Sequence, residues 1–256
     1  MPAELTRLGI PAFTKACAYE RVFGSKILTA LRAYGIGSTE VKLYLYEQNK
    51  EPLAALCLAE GVLTVSCAPQ ADPAPIADFV RKMDVKEVDT NWEQCQALQS
   101  ILGGTCESSY YMVYQGPPVE EAFPLLFPGE LHAVFSVLQR SHEYYRQHLQ
   151  FDVWHKDLIQ KLDRGLMELY QLEYDGEIIG AGSIISEDDQ CGVIAAVAVV
   201  PEHRHRGWGS YISKFLVRRI LEKGKTPRLI SGYDEVAELY RKIGFAPCGR
   251  WGELYL

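Results

Sequence analysis

The chain has 256 residues, 48% of them apolar and 23% charged, which suits a packed core in one large or two modest domains and excludes disorder and fibrous repeats. Its 26 Lys and Arg against 33 Asp and Glu leave a formal charge of −7, which opposes attraction to phosphate backbones and anionic lipid and argues against a nucleic-acid binder. Seven scattered cysteines, with no CxxC pair, argue against a disulfide framework or a zinc knuckle and suit a reducing cytoplasm.

The first residues, Met1 to Tyr19, mix Glu4, Arg7 and Lys15 with short apolar pieces and lack the apolar core of a secretory signal. No uncharged apolar run approaches the roughly 20 residues a membrane helix requires, so a cytoplasmic protein without a membrane partner is expected. A mixed helical pattern covers 18–34. Val41–Glu47, Pro52–Leu58 and Val62–Cys67 then predict an antiparallel meander, turning at Asn49-Lys50 and Glu60-Gly61. A helix over Ala74–Met83, a strand Lys86–Thr90, a helix Asn91–Leu102, the pair Gly103-Gly104 and a strand Cys106–Tyr114 follow. The proline-rich stretch 115–129 separates two halves.

Two helical segments, Glu130–Leu149 and Val153–Arg164, open the second half. Met167–Tyr174 and Ile178–Ser186 flank Asp175-Gly176, a strong hairpin signal. Cys191–Val200 follows, and its uninterrupted apolar run Val193–Val200 predicts a strand buried on both faces. A glycine- and arginine-rich loop then leads to a helix with the stripe Ile212, Phe215, Leu216 and Ile220. A strand at Arg228–Ser231, a helix carrying Val236, Leu239, Tyr240 and Ile243, and a strand Cys248–Tyr255 complete the chain. The halves end alike, with helix starts at Asn91 and Asp234 separated by 234 − 91 = 143 residues, which points to a duplicated domain.

The loop Arg204-His205-Arg206-Gly207-Trp208-Gly209 between an apolar strand and a helix start is the informative segment. Gly207 and Gly209 expose successive amides, the helix start adds a positive dipole end, and His203 to Arg206 concentrate positive charge, a combination that binds phosphate oxygens. The matching place in the first half, Ala68 to Pro73, offers no such cradle. A broken HExxH at His142, an incomplete phosphate loop at Gly224-Lys225-Thr226 and the lack of a GxSxG elbow remove a zinc peptidase, a P-loop and a hydrolase.

At these residues the sequence resembles the GNAT superfamily of N-acetyltransferases, whose signature is R/Q-x-x-G-x-G/A. Arg204, Gly207 and Gly209 fill it. Pro201, Val197 and Val199 upstream and Ala237, Leu239-Tyr240 and Gly244-Phe245 downstream agree. The likeness is clearest over 167–256, looser over 130–256, and only topological in the first half. It implies an α/β fold, a mixed twisted sheet flanked by helices, with a degenerate GNAT-like domain at 1–120 and an acetyltransferase domain at 130–256.

It further implies acetyl-coenzyme A as cosubstrate and no metal. The diphosphate would be held by backbone amides from about His205 to Ser210, that is His205, Arg206, Gly207, Trp208, Gly209 and Ser210, with Arg204 also at the cofactor. The pantetheine arm would run along Val197, Ala198 and Val199. Small side chains at Ala195, Ala196 and Ala198 suit either a ligand or close packing. Tyr240 takes the general-acid position, although its stripe also fits a core aromatic. Asp234 stands where relatives place an asparagine that touches the cofactor arm, and is equally suited to cap its helix. No acidic residue lies in Cys191–Val200 to serve as base, and Glu173 is a candidate substitute.

The expected reaction is acetyl transfer to a primary amine of a small molecule or peptide. The alternatives are a non-catalytic module sensing coenzyme A and a transferase using another acyl donor. The first half is left with two roles between which the sequence does not choose, completing the acceptor pocket or forming a homodimer surface.

Overall fold

The computed structural model describes every residue of the chain except Tyr233, and His148 only in its backbone. In chain order the elements are β1 (Ala3–Glu4), α1 (Ile10–Cys17), α2 (Arg21–Tyr34), β2 (Val41–Gln48), β3 (Glu51–Ala59), β4 (Val62–Cys67), α3 (Ala74–Val80), β5 (Glu87–Asn91), α4 (Trp92–Leu102) and β6 (Thr105–Tyr114). There follow β7 (Leu126–Pro128), α5 (Leu131–Ser141), α6 (Glu143–His148), α7 (Phe151–Leu162), β8 (Glu168–Tyr174), β9 (Glu177–Glu187), β10 (Cys191–Val199), α8 (Trp208–Glu222), β11 (Thr226–Ser231), α9 (Asp234–Ile243) and β12 (Phe245–Tyr255). No helix is long and apolar enough to cross a membrane among the described residues.

The chain forms two compact units, Met1–Tyr111 with Cys248–Leu256, and Met112–Pro247. In the first, β1 to β4 are successively antiparallel, β4 and β5 are parallel, and Trp251–Tyr255 of β12 pair antiparallel with β5. In the second, β7 to β10 are successively antiparallel and β10 is parallel to β11. Each unit is therefore mixed, with one parallel pair after a meander.

Both turns of the first meander have positive φ at their two central residues, Asn49 (54°) with Lys50 (66°) and Glu60 (52°) with Gly61 (83°), as the twist of a tight hairpin requires. Side-chain alternation then sorts the meander into two apolar layers. Tyr44, Leu56, Leu63 and Val65 pack with Ile76, Phe79 and Leu98 of α3 and α4. Leu43, Leu45, Ala55 and Cys57 pack with Phe13, Ala16 and Ile27 of α1 and α2. The helix α1 was not anticipated, its eight residues being too few to show a clear period.

The segment Glu130–Leu149, expected as one helix, breaks into α5 and α6 at His142, whose backbone is extended (φ −150°, ψ 142°). His142 Nδ1 accepts from the Tyr144 N–H at 3.1 Å and so starts the second helix. The short strand β7 lies in the stretch expected as irregular, and its N–H and C=O groups pair with Tyr170–Leu172 of β8.

Helix α8 sits close to β9 and β10 because glycines leave room for it. A Cβ at Gly182 would fall 2.5 Å from Ile212 Cγ2, one at Gly180 2.9 Å from Ile212 Cδ1, and one at Gly192 2.8 Å from Ile220 Cγ1. Ile212, Leu216 and Ile220 lie on one face of α8 and are fully buried, so they cannot swing away. Gly182→Ala is expected to destabilise the protein by about 1–3 kcal/mol through overpacking, read as a lower midpoint in urea.

In the first unit, one carboxylate oxygen each of Glu87, Asp89 and Glu253 lie within 4.8 Å of one another, with Lys26 Nζ 3.5 Å from Asp89 Oδ2. Burial, and then the charge of Asp89, push both Glu87 and Glu253 up to about 7, with Lys26 only partly opposing. These folded values exceed the ordinary 4.5, so the native state keeps protons that the unfolded chain has lost. Stability is expected to fall as pH rises through that window, the penalty being complete above about 7. Urea midpoints at acid and alkaline pH, in the native protein and in a Glu87→Gln, Glu253→Gln double variant, check this, the variant losing the slope.

Candidate active site

The second unit brings the loop residues to the end of β10. Pairing of β10 with β11 runs from Cys191–Thr226 to Ile194–Leu229. Beyond it β10 bulges, with register shifts against β9 between Val193 and Ile194 and between Ala195 and Ala198, and with Ala196 at φ 52°. Cys191 to Ile194 are buried, whereas Ala195, Ala196, Val197 and Val199 are half-exposed. The expected burial of the whole run on both faces is therefore corrected: the strand is enclosed only as far as its parallel partner accompanies it.

Past the bulge, the Val200 N–H donates to Ile179 O of β9 at 2.9 Å. Strand alternation turns the N–H and C=O of Val197 and Val199 to the opposite side, where the ladder with β11 has ended. Ala198, the small residue between them, is buried against β9.

From Val200 the chain passes through a 3-10 turn, Pro201–His203, into the loop. His205 (φ 60°) and Gly207 (φ 85°) both adopt the left-handed conformation, and Gly207 is the N-cap of α8. The helix's own ladder begins with the Tyr211 N–H donating to Gly207 O at 3.0 Å, so the amides of Trp208, Gly209 and Ser210 precede it. A Cβ at Gly207 would meet open space and one at Gly209 only Leu239 Cδ1 at 3.6 Å. The positive end of the α8 dipole thus opens onto unobstructed space, with His205 and Arg206 exposed in the same loop.

Arg204 takes a different place from the one its motif suggests. Its Nε donates to Val199 O at 3.2 Å and its guanidinium also donates to Ser141 O at the end of α5. That side chain fastens the loop to β10 and α5. Trp208 packs between Tyr174 (ring centroids 5.0 Å apart) and Tyr211 (5.8 Å). Two buried nitrogens beside the loop, His203 Nδ1 and Trp208 Nε1, have no hydrogen-bond partner.

Tyr240 on α9 is 7% exposed and lies edge-on to Phe245, ring centroids 5.7 Å apart. Burial pushes its phenol up to about 12, with a hydrogen bond to Ser213 working the other way. Ser213, fully buried on α8, donates its own proton to Gly209 O at 2.7 Å. One hydroxyl thus joins the phenol to the first turn of the loop helix, a connection that sequence spacing alone does not reveal.

Asp234 is the first residue of α9 and is exposed, where its charge favours the helix start. The preceding position, Tyr233, lies outside the described residues. Glu173 on β8 accepts a 2.8 Å hydrogen bond from Gln171 Nε2, and Gln171 Oε1 in turn accepts from the Glu130 N–H.

In the first unit, helix α3 between the parallel strands β4 and β5 starts differently. Ala74 N–H donates to Asp72 Oδ1 at 3.0 Å, Pro75 has no N–H, and Ile76 N–H donates to Pro73 O at 3.1 Å. The leading amides of α3 are thereby used within the chain.

A model of the acetyltransferase (GNAT) family matches residues 131–245. No curated protein matches the chain in sequence. Among solved structures it is similar to a tandem GNAT protein of the clavulanic acid biosynthesis pathway, with a TM-score of 0.66 at 12% identity over 99% of this chain and 97% of that one. A GCN5-related N-acetyltransferase of Sphaerobacter thermophilus gives a TM-score of 0.66 at 15% identity, covering 99% of this chain and 94% of that one. A GNAT-family acetyltransferase of Colwellia psychrerythraea gives 0.61 at 17% identity over 100% and 99%. At these identities the structures bear on the fold, and the family model bears on the site. Residues 131–245, which contain the bulged strand, the left-handed loop and Tyr240, are a domain of the GNAT acetyltransferase family.

Proposed function

We propose that this domain binds acetyl-coenzyme A and transfers its acetyl group to a primary amine. The observation that carries the reading is the open left-handed turn at Gly207, with three leading amides of α8 beside the unaccompanied end of β10. This helix start fits a diphosphate: it offers amide donors and a helix dipole, has exposed basic side chains beside it, and no Cβ covers it. In this reading Trp208, Gly209 and Ser210 hold the diphosphate through their main chain, His205 and Arg206 add charge, and Arg204 keeps the loop in place. The outward N–H and C=O groups of Val197 take the amides of the pantetheine arm, which leaves the Val199 N–H for the thioester.

When bound, the thioester supplies an activated acetyl group. With the thioester bound, the outward Val199 N–H would be the donor available to the oxygen on which negative charge develops. Tyr240 delivers a proton to the departing thiolate. A phenol with a pKa near 12 is fully protonated at neutral pH, which suits an acid and not a base. The acceptor must shed a proton before attack, since an alkylammonium with a pKa of about 10.4 has no lone pair at neutral pH.

The first unit is proposed to be a second GNAT-like copy that has lost its cradle, as the committed amides of α3 and the likeness to a tandem GNAT protein support. Mass spectrometry of small molecules carried by the purified protein, followed by free-thiol release with a panel of amines, tests the reading. Coenzyme A or its acetyl form and an amine-dependent thiol signal are expected. Binding without release under any amine would leave a sensing module, and a different retained acyl group would change the donor.

A further inference from the structure

Cys95 on α4 and Cys106 on β6 bring their Sγ atoms to 2.7 Å, and Cys106 Sγ lies 3.5 Å from the Cys95 carbonyl oxygen. That separation is much nearer the disulfide bond length of about 2.05 Å than ordinary neighbouring side chains reach. Two backbone features bring the sulfurs together. The chain reverses between them through Gly103 and Gly104, both at positive φ (81° and 84°), and a Cβ at Gly104 would fall 2.1 Å from Tyr255 O. On the other side, Gly252 of β12 leaves just the space that Cys95 occupies: a Cβ there would lie 2.3 Å from Cys95 Cβ and 2.8 Å from its Sγ. Cys95 is thus closed in by β12 and faces Cys106, which is half-buried and the more exposed residue of the two.

We propose that Cys95 and Cys106 are a redox-active pair that closes an intramolecular disulfide by exchange with a small-molecule disulfide of the glutathione class. The Cys106 thiolate attacks one sulfur of oxidised glutathione, whose S–S bond breaks and releases one glutathione thiolate. The Cys95 thiolate then attacks the Cys106 sulfur of the mixed disulfide, and the second glutathione leaves. Two cysteine thiols are oxidised, one external disulfide is reduced to two thiols, and the two cysteine protons end on the two glutathiones. Burial, reinforced by Cys106, pushes the Cys95 thiol well above its ordinary range, which leaves the first attack to Cys106. The bond staples α4 to β6 across the Gly103-Gly104 turn and raises resistance to unfolding.

Both cysteines fall within one tryptic peptide, residues 87–140, which contains no other cysteine. The folded full chain is incubated with oxidised glutathione, quenched with an alkylating reagent, digested and weighed. The expected peptide is unalkylated and lighter than its reduced, unalkylated form by two hydrogens, reverts with dithiothreitol, and comes from protein with a higher unfolding midpoint. In Cys95→Ser the same peptide is expected to carry glutathione on Cys106. A native peptide alkylated at both cysteines overturns the proposal, provided that the exposed Cys248 of the same sample has reacted. So does a native peptide that retains glutathione on Cys106 without closing. The native protein alone decides the matter if the variant does not fold.

Discussion

Tyr240→Phe is expected to lower kcat by about 10²–10⁴, the span that general acid–base catalysis contributes, with acetyl-coenzyme A affinity held within about twofold. The substitution removes one hydroxyl from a buried ring whose packing against Phe245 is otherwise kept. It also removes the hydrogen bond between the phenol and Ser213, a cost limited because Ser213 keeps its bond to Gly209 O. Steady-state rates with a saturating amine, beside calorimetric titration of the cosubstrate, separate the two effects. With the phenol pushed up to about 12, its loss of a proton does not limit the rate near neutrality. A fall in native kcat between about pH 7 and 9 would therefore have to come from another group. An unchanged kcat in the variant removes Tyr240 from the chemistry.

Gly207→Val is expected to weaken acetyl-coenzyme A binding at least about tenfold, roughly 1.4 kcal/mol. Two causes add. Gly207 sits at φ 85°, where a β-branched side chain is strained, and its Cβ would project into the open space at the start of α8. Gly224 supplies the control, since it too has positive φ (70°) with nothing near its Cβ, but lies at the far end of α8. Gly224→Val carries the same backbone strain and should leave affinity unchanged. Equal losses in the two variants would mean that strain alone is being measured.

What could be read from the sequence was what short spacing controls. The turns at Asn49-Lys50, Glu60-Gly61 and Asp175-Gly176 announce themselves because few residue pairs accept two consecutive positive φ values. Gly207 and Gly209 pointed to the loop because residues without a Cβ leave successive amides open at a helix start. The unaccompanied end of β10 was hidden because every residue from Val193 to Val200 is apolar, and the bulge falls on Ala196, a residue type with no signal for φ 52°. Where one strand outruns its neighbour depends on register, which no local pattern records.

Side-chain partners across the fold were also out of reach. Arg204 matched its motif, yet it turns to Val199 O and Ser141 O, a choice made by the end of α5 more than 60 residues earlier. Ser213 meets Tyr240 only because α8 and α9 pack together. Gly180, Gly182 and Gly192 did carry a signal, since glycines inside strands commonly mark a close approach, and here they set how deeply α8 sits.

The most direct measurement is a crystal structure of the protein with coenzyme A. The diphosphate is predicted to lie against the main-chain N–H groups of Trp208, Gly209 and Ser210, with the arm following Val197 and Val199. Density for the nucleotide elsewhere, with the Gly207 turn filled only by solvent, would contradict the proposed site and every catalytic role derived from it.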